Sequence, residues 1–200
     1  MKEIVLDTET TGLSVKDGHR IVEIGCIELE DLVYSKKKFH CYLNPERKVS
    51  EKALEVHGYT DEFLSNKKKF KEIVEEFLSF IEGKKLIIHN AEFDLSHINH
   101  ELNLLGMGKI KNEVVDTLVL ARDKFPGSSN SLDALCKRYR IDNSKREKHT
   151  ALIDCELLAK VYINLIDQKE PKLNFNNFDE TKKKDTNKFI NNYSKKIIIP

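Results

Sequence analysis

Apolar positions along the chain change period several times, and each change predicts a different element. Residues 2–9, 20–29 and 37–44 are rich in β-branched and aromatic side chains and read as three strands. Turn chemistry separates them: Gly12 and Ser14, then Asp17-Gly18, then the run Lys36 to Lys38. Connections this short imply an antiparallel meander. After Asn44-Pro45 the pattern becomes helical, with Phe70, Ile73, Val74, Phe77, Leu78 and Ile81 recurring at three and four until Gly83. KKLIIHN (84–90) follows as a short buried strand. A helix is expected from about Phe93 to Leu105, carrying Leu95, Ile98, Leu102 and Leu105 on its apolar stripe and stopping at Gly106. VVDTLVLAR, SLDALCKRYR and HTALIDCELLAKVYINLI supply further strand or helix segments. Strands first, then strands alternating with helices, predict an α/β protein with a mixed sheet flanked by helices.

Length and composition narrow the picture further. Two hundred residues with 40% hydrophobic content suit one domain with a real core, here expected over residues 1–170. From Pro171 the last 30 residues hold seven lysines and six asparagines, which reads as a mobile tail, either an end without a role or a partner-binding segment that orders on contact. The opening MKEIVLDTET lacks the basic start and apolar stretch of a signal peptide. No apolar run approaches the roughly 20 residues of a membrane span, so no membrane role is expected. Four scattered cysteines without a CxxC pair suggest neither zinc nor disulfides, and a reducing cytoplasm fits them. The net charge of +1 is not that of a protein gripping duplex DNA through many phosphates. Charge alone therefore neither supports nor excludes nucleic acid.

The candidate chemistry lies in carboxylates far apart along the chain. Asp7 and Glu9 stand two apart in an apolar strand, so a period of two puts both on one face about 7 Å apart. Two acids there repel, and something positive is expected beside them. Asp94, in HNAEFD, falls in the opening turn of a helix, where the dipole favours a carboxylate. Asp154 occupies a long amphipathic helix. His149 precedes it by five residues, about 140° away round a regular helix, and so belongs at or before the helix start. Alone, each has an ordinary reading: a solvated strand face, a helix-start acid, a surface histidine. Together they offer oxygen-only ligands, which select hard divalent ions such as Mg²⁺ or Mn²⁺. Two such ions clamp a phosphodiester and activate water, and His149, with an ordinary pKa of about 6.5, would serve as the base.

DTETTGL (7–13), HNAEFD (89–94) and HTALID (149–154) resemble, in order, the three motifs of the DnaQ-like 3′-to-5′ exonucleases. A histidine five before the last aspartate is similar to the DEDDh branch. VHGYTDEFL (56–64) and NSLDALCKRY (130–139) look most like the epsilon, or proofreading, subunits of bacterial DNA polymerase III. The resemblance spans about residues 1–168 and implies a ribonuclease H-like sheet. It also implies Asp7, Glu9, Asp94 and Asp154 as ligands of two divalent cations and His149 as general base. Substrate contacts would come from Asp7, Glu9, Asp154 and His57, with Phe93 and Leu13 bordering the base pocket. Lys52 departs from the pattern, standing where proofreading subunits often carry an acid near the substrate's 3′ end.

By the same resemblance the partners would be a single-stranded or mismatched DNA 3′ end, the polymerase III alpha subunit and a theta-like subunit. EPKLNF (170–175) is similar to a short sliding-clamp-binding peptide. Two other functions compete: an RNA-trimming or oligonucleotide exonuclease using the same site, and a non-catalytic scaffold whose acids form a solvated patch.

Overall fold

The structure is a computed structural model, and it describes residues 2–166. Residues 167–200, including the candidate clamp peptide and the expected tail, lie outside that range.

Five strands form one sheet in the order β3-β2-β1-β4-β5. β1 (Lys2–Thr10), β2 (Ile21–Glu30) and β3 (Val33–Tyr42) make the antiparallel meander. β4 (Lys85–Ile88) and β5 (Val114–Asp116) run parallel to β1. The third strand begins earlier than the sequence pattern suggests. Asp31 and Leu32 both adopt positive φ, 51° and 66°, and close a two-residue hairpin whose twist matches the strands. Lys36 to Lys38 therefore lie within β3 and not in the turn. Lysines suit that place, because β3 is a rim of the sheet.

Helices cover both faces. On one side the core joins Ile4 and Leu6 of β1 to α3 (Val74–Ile81) and α4 (Ala91–Leu104). The helix expected over 70–81 is divided: Phe70–Glu72 forms a 3₁₀ turn and Ile73 breaks the ladder before α3. On the other side, Val5 packs with α5 (Thr117–Lys124), α6 (Leu132–Arg138) and α7 (Ala151–Ile166). Even-numbered positions of β1 thus serve one core and odd-numbered positions the other. Asp7 and Glu9 continue the odd set, so they emerge on the face that α7 covers. Two short helices, α1 (Glu51–His57) and α2 (Asp61–Ser65), connect the meander to α3.

All four cysteines are free. Among the described residues no helix is long and apolar enough to cross a membrane.

Candidate active site

The carboxyl ends of β1 and β4 open into a cavity of about 190 Å³, lined among others by Asp7, Glu9, Asp94, Arg146, His149 and Asp154. Asp94 reaches it from the first turn of α4, on the opposite side of the sheet from α7. Thr8 ties it down: the backbone N–H and the hydroxyl of Thr8 donate to Asp94 Oδ1 at 2.9 and 2.7 Å. The start of α4 is itself held by Asp116, whose carboxylate accepts from the N–H groups of Asn90 and Ala91, both at 3.0 Å. At the other end of this region, Arg20 grips Glu101 of α4 through two bonds of 2.6 Å. Asp94 is consequently fixed relative to β1 by both helix and strand.

Asp154 depends on how closely α7 approaches the sheet. Gly25 of β2 pairs with Asp7, and a Cβ on Gly25 would lie 2.6 Å from the Ala151 carbonyl carbon and 2.8 Å from the Leu152 nitrogen. Only glycine admits that backbone contact. Buried Glu23 completes the seat, accepting from Ala151 N at 2.9 Å and from the Tyr59 hydroxyl at 2.8 Å, with His40 Nε2 2.7 Å from its other oxygen. The clashing atoms are backbone, so Gly25→Ala must shift the start of α7. The expected result is about 1–3 kcal/mol of lost stability in urea titration, with activity reduced on the order of a hundredfold.

Crowded acids raise one another's pKa. Burial, then Asp94, Glu9 and Asp154, push Asp7 well above the usual carboxylate range. Glu9 rises to about 8, through burial and then Asp154 and Glu23. Burial lifts Asp94 to about 7 against the opposing hydrogen bonds from Thr8. His149 moves the other way, since burial and the neighbouring Arg146 outweigh Asp154 and hold its pKa below 6.5. Its Nδ1 is 3.6 Å from Asp154 Oδ2, and its side chain is 45% exposed at the cavity mouth. One ligand atom from each of Glu9, His149 and Asp154 lies within 4.8 Å of the others. Two carboxylates and an imidazole at this spacing could hold a divalent metal ion.

A groove of about 800 Å³ adjoins the cavity and shares Glu9 and Phe93 with it. Leu13, 82% exposed, lines this groove with Val56, Lys52 and His57. His57 is only 2% exposed, and both ring nitrogens are engaged within the protein. Nδ1 accepts from Tyr59 N at 3.0 Å, which leaves Nε2 to donate to Thr10 O at 3.2 Å. Gly58 in the left-handed conformation (φ 79°) ends α1 just after it. The loop before α7 rests on α1, with His149 N donating to Val56 O at 3.2 Å and Lys148 Nζ to Glu55 O at 2.6 Å.

A family model described as an exonuclease, RNase_T, matches residues 4–162. The chain belongs to this exonuclease family. Relatives named DNA polymerase III subunit epsilon include that of Rickettsia felis, 53% identical over 169 residues, which are 82% of this chain and 74% of the relative. The protein of that name from Escherichia coli is 47% identical over 170 residues, 81% of this chain and 70% of its own. Among solved structures, exonuclease X in complex with 5′-overhanging duplex DNA superimposes with a TM-score of 0.67 at 24% identity, covering 83% of this chain and 92% of the other. The nuclease domain of 3′hExo, a DEDDh family member bound to rAMP, gives a TM-score of 0.71 at 16% identity, covering 82% and 90%. These two share the fold, the ribonuclease H-like mixed sheet expected above.

Four residues that line or support this cavity escape sequence reasoning: Glu23, Gly25, Asp116 and Arg146. Glu23 and Gly25 interrupt an otherwise apolar strand, IVEIGCIELE, and that interruption was the available signal. Asp116 sits where a short strand passes into a helix, an N-cap position by residue type. Arg146 lies in the charged stretch SKREK, which carries no periodic signal at all.

Proposed function

We propose that this exonuclease removes nucleotides one at a time from a DNA 3′ end, proofreading for a bacterial replicative polymerase. The observation that carries the reading is the meeting of Asp7, Glu9, Asp94 and Asp154, drawn from β1, α4 and α7, around one cavity with His149 at its mouth. Two features favour a pair of Mg²⁺ or Mn²⁺ ions there. Every carboxylate donor is a hard oxygen, and the raised pKa values of Asp7, Glu9 and Asp94 call for added positive charge. Asp7, Glu9, Asp94 and Asp154 would hold the ions. When bound, divalent cations supply Lewis-acid activation of water and charge neutralisation at the scissile phosphate and the leaving 3′-oxygen.

The chain's own groups do the rest. His149 is neutral near pH 7 because its pKa is lowered, so it is ready to accept a proton from the attacking water. Asp7, Glu9 and Asp154 face the terminal phosphodiester. Leu13, Phe93 and the ring carbons of His57 form the wall against which the terminal nucleotide rests, and His57 also holds β1 in place through Thr10. An apolar wall reads no base edge. Selection of mismatches would follow from the lower cost of fraying an unpaired end. Lys52 in the same groove would meet the substrate's phosphates with a positive charge.

The names of the relatives favour association with a DNA polymerase III, and the motif resemblance extends the proposal to its alpha subunit, a theta-like subunit and a sliding clamp reached through EPKLNF (170–175). The test is product analysis on a 3′-mismatched DNA primer with Mg²⁺. Deoxynucleoside 5′-monophosphates should appear from the 3′ end, faster than from a matched primer or an RNA oligomer of the same sequence. Absence of products would remove the catalytic reading, and a large preference for RNA would remove the proofreading role.

A further inference from the structure

Arg146 lies between α6 and α7 with its side chain only 7% exposed. Nε and one terminal nitrogen donate to Asp154 Oδ1 and Oδ2 at 2.6 and 2.7 Å. The same terminal nitrogen is 3.0 Å from His149 Nδ1. The other terminal nitrogen donates to Asp133 Oδ2 at 2.7 Å. The planar fork therefore takes both oxygens of Asp154, a geometry that lysine cannot reproduce. A carboxylate that ligates a divalent cation must offer it an oxygen, so guanidinium and metal compete for the same charge. Asp133 lies outside the cavity lining and is 56% exposed. Its other oxygen accepts from Asn143 at 2.9 Å, which keeps it oriented toward the loop that carries Arg146.

We propose that Arg146 is a positioning residue that serves as the site's internal counter-cation, holding Asp154 and His149 until divalent ions arrive, then yielding Asp154 while remaining on Asp133. The inference rests on the reading of Asp7, Glu9, Asp94 and Asp154 as metal ligands. Without Arg146, four carboxylates would face one another across a small cavity with no cation among them, and the loop bearing His149 would lose its tie to α7. With divalent ions in place the guanidinium is redundant at Asp154, and Asp133 becomes its remaining anion. Two substitutions then act with opposite signs. Arg146→Gln frees Asp154 and favours metal, whereas Asp133→Asn removes the partner to which Arg146 withdraws and disfavours metal.

The experiment is calorimetric titration of the full chain with Mn²⁺ at pH 8, paired with melting temperatures in chelator and in saturating Mn²⁺. For Arg146→Gln the Mn²⁺ dissociation constant should fall roughly tenfold, the weight of a charge-assisted hydrogen-bonded pair. Its melting temperature in chelator should drop while the rise on adding Mn²⁺ grows. Asp133→Asn should bind Mn²⁺ several-fold more weakly than wild type. Should Arg146→Gln fail to fold, Arg146→Lys, which keeps the charge without the fork, must also bind Mn²⁺ more tightly. Unchanged or weakened Mn²⁺ binding by the arginine variants, or equal loss of melting temperature with and without metal, would overturn the inference. If wild type itself took up no Mn²⁺, the four-acid reading would fall instead.

Discussion

Asp7→Ala should lower the rate of 3′-end hydrolysis on the order of a thousandfold or more, while the protein remains folded. Asp7 lies on the central strand β1, between Thr8, which holds Asp94, and the backbone of Gly25, which seats α7. No neighbouring acid can move into its place, because each is fixed by its own element. The same variant should be more stable than wild type in chelator at pH 8. A carboxyl whose pKa rises on folding binds more protons folded than unfolded, so stability declines as pH climbs from the ordinary carboxylate value through the folded one. Asp7 is raised well above 3.8, Glu9 from 4.5 to about 8 and Asp94 from 3.8 to about 7, which sets the window at about pH 4 to 8. The gap in melting temperature between variant and wild type should widen across that window in metal-free buffer. Retained hydrolysis, or a gap that stays constant with pH, would contradict this account.

For His149→Ala the expected loss is about 10² to 10⁴ in rate, the usual weight of a general base. Mn²⁺ binding should persist, because the four carboxylates are untouched, and calorimetry separates the two effects. The 45% exposed ring stands at the cavity mouth, so added imidazole can enter the space it vacates and should restore part of the rate. In wild type, the rate should fall as pH drops through a value below 6.5, where the imidazole gains its proton and can no longer accept one. That limb should vanish in the variant. An alanine enzyme with full activity, or one whose acid limb is unchanged, would assign the base elsewhere.

Why some of this could be read from the sequence and some could not has a physical explanation. Local rules place Asp7 and Glu9 on one face, Asp94 in a first helical turn, and His149 ahead of the helix that bears Asp154, because strand and helix periods act within a few residues. The meander and the alternation that follows it were likewise visible in apolar spacing. Tertiary contacts are another matter. Gly25 matters only because Ala151, far along the chain, lies against it, and Glu23 only because Tyr59, His40 and Ala151 converge there. Arg146 has the composition of a solvated loop and the environment of a buried one. Lys36 to Lys38 misled the strand boundary because a lysine run marks a turn and a sheet rim alike, and positive φ at Asp31 and Leu32 decides between them.

The lysines on β3 carry one more consequence. At this margin an incoming chain that sought to prolong the sheet would have to strip water from a row of ammonium groups. At the opposite margin β5 offers only Val114–Asp116 as a template. Stacking of copies into ribbons is thereby discouraged at both borders.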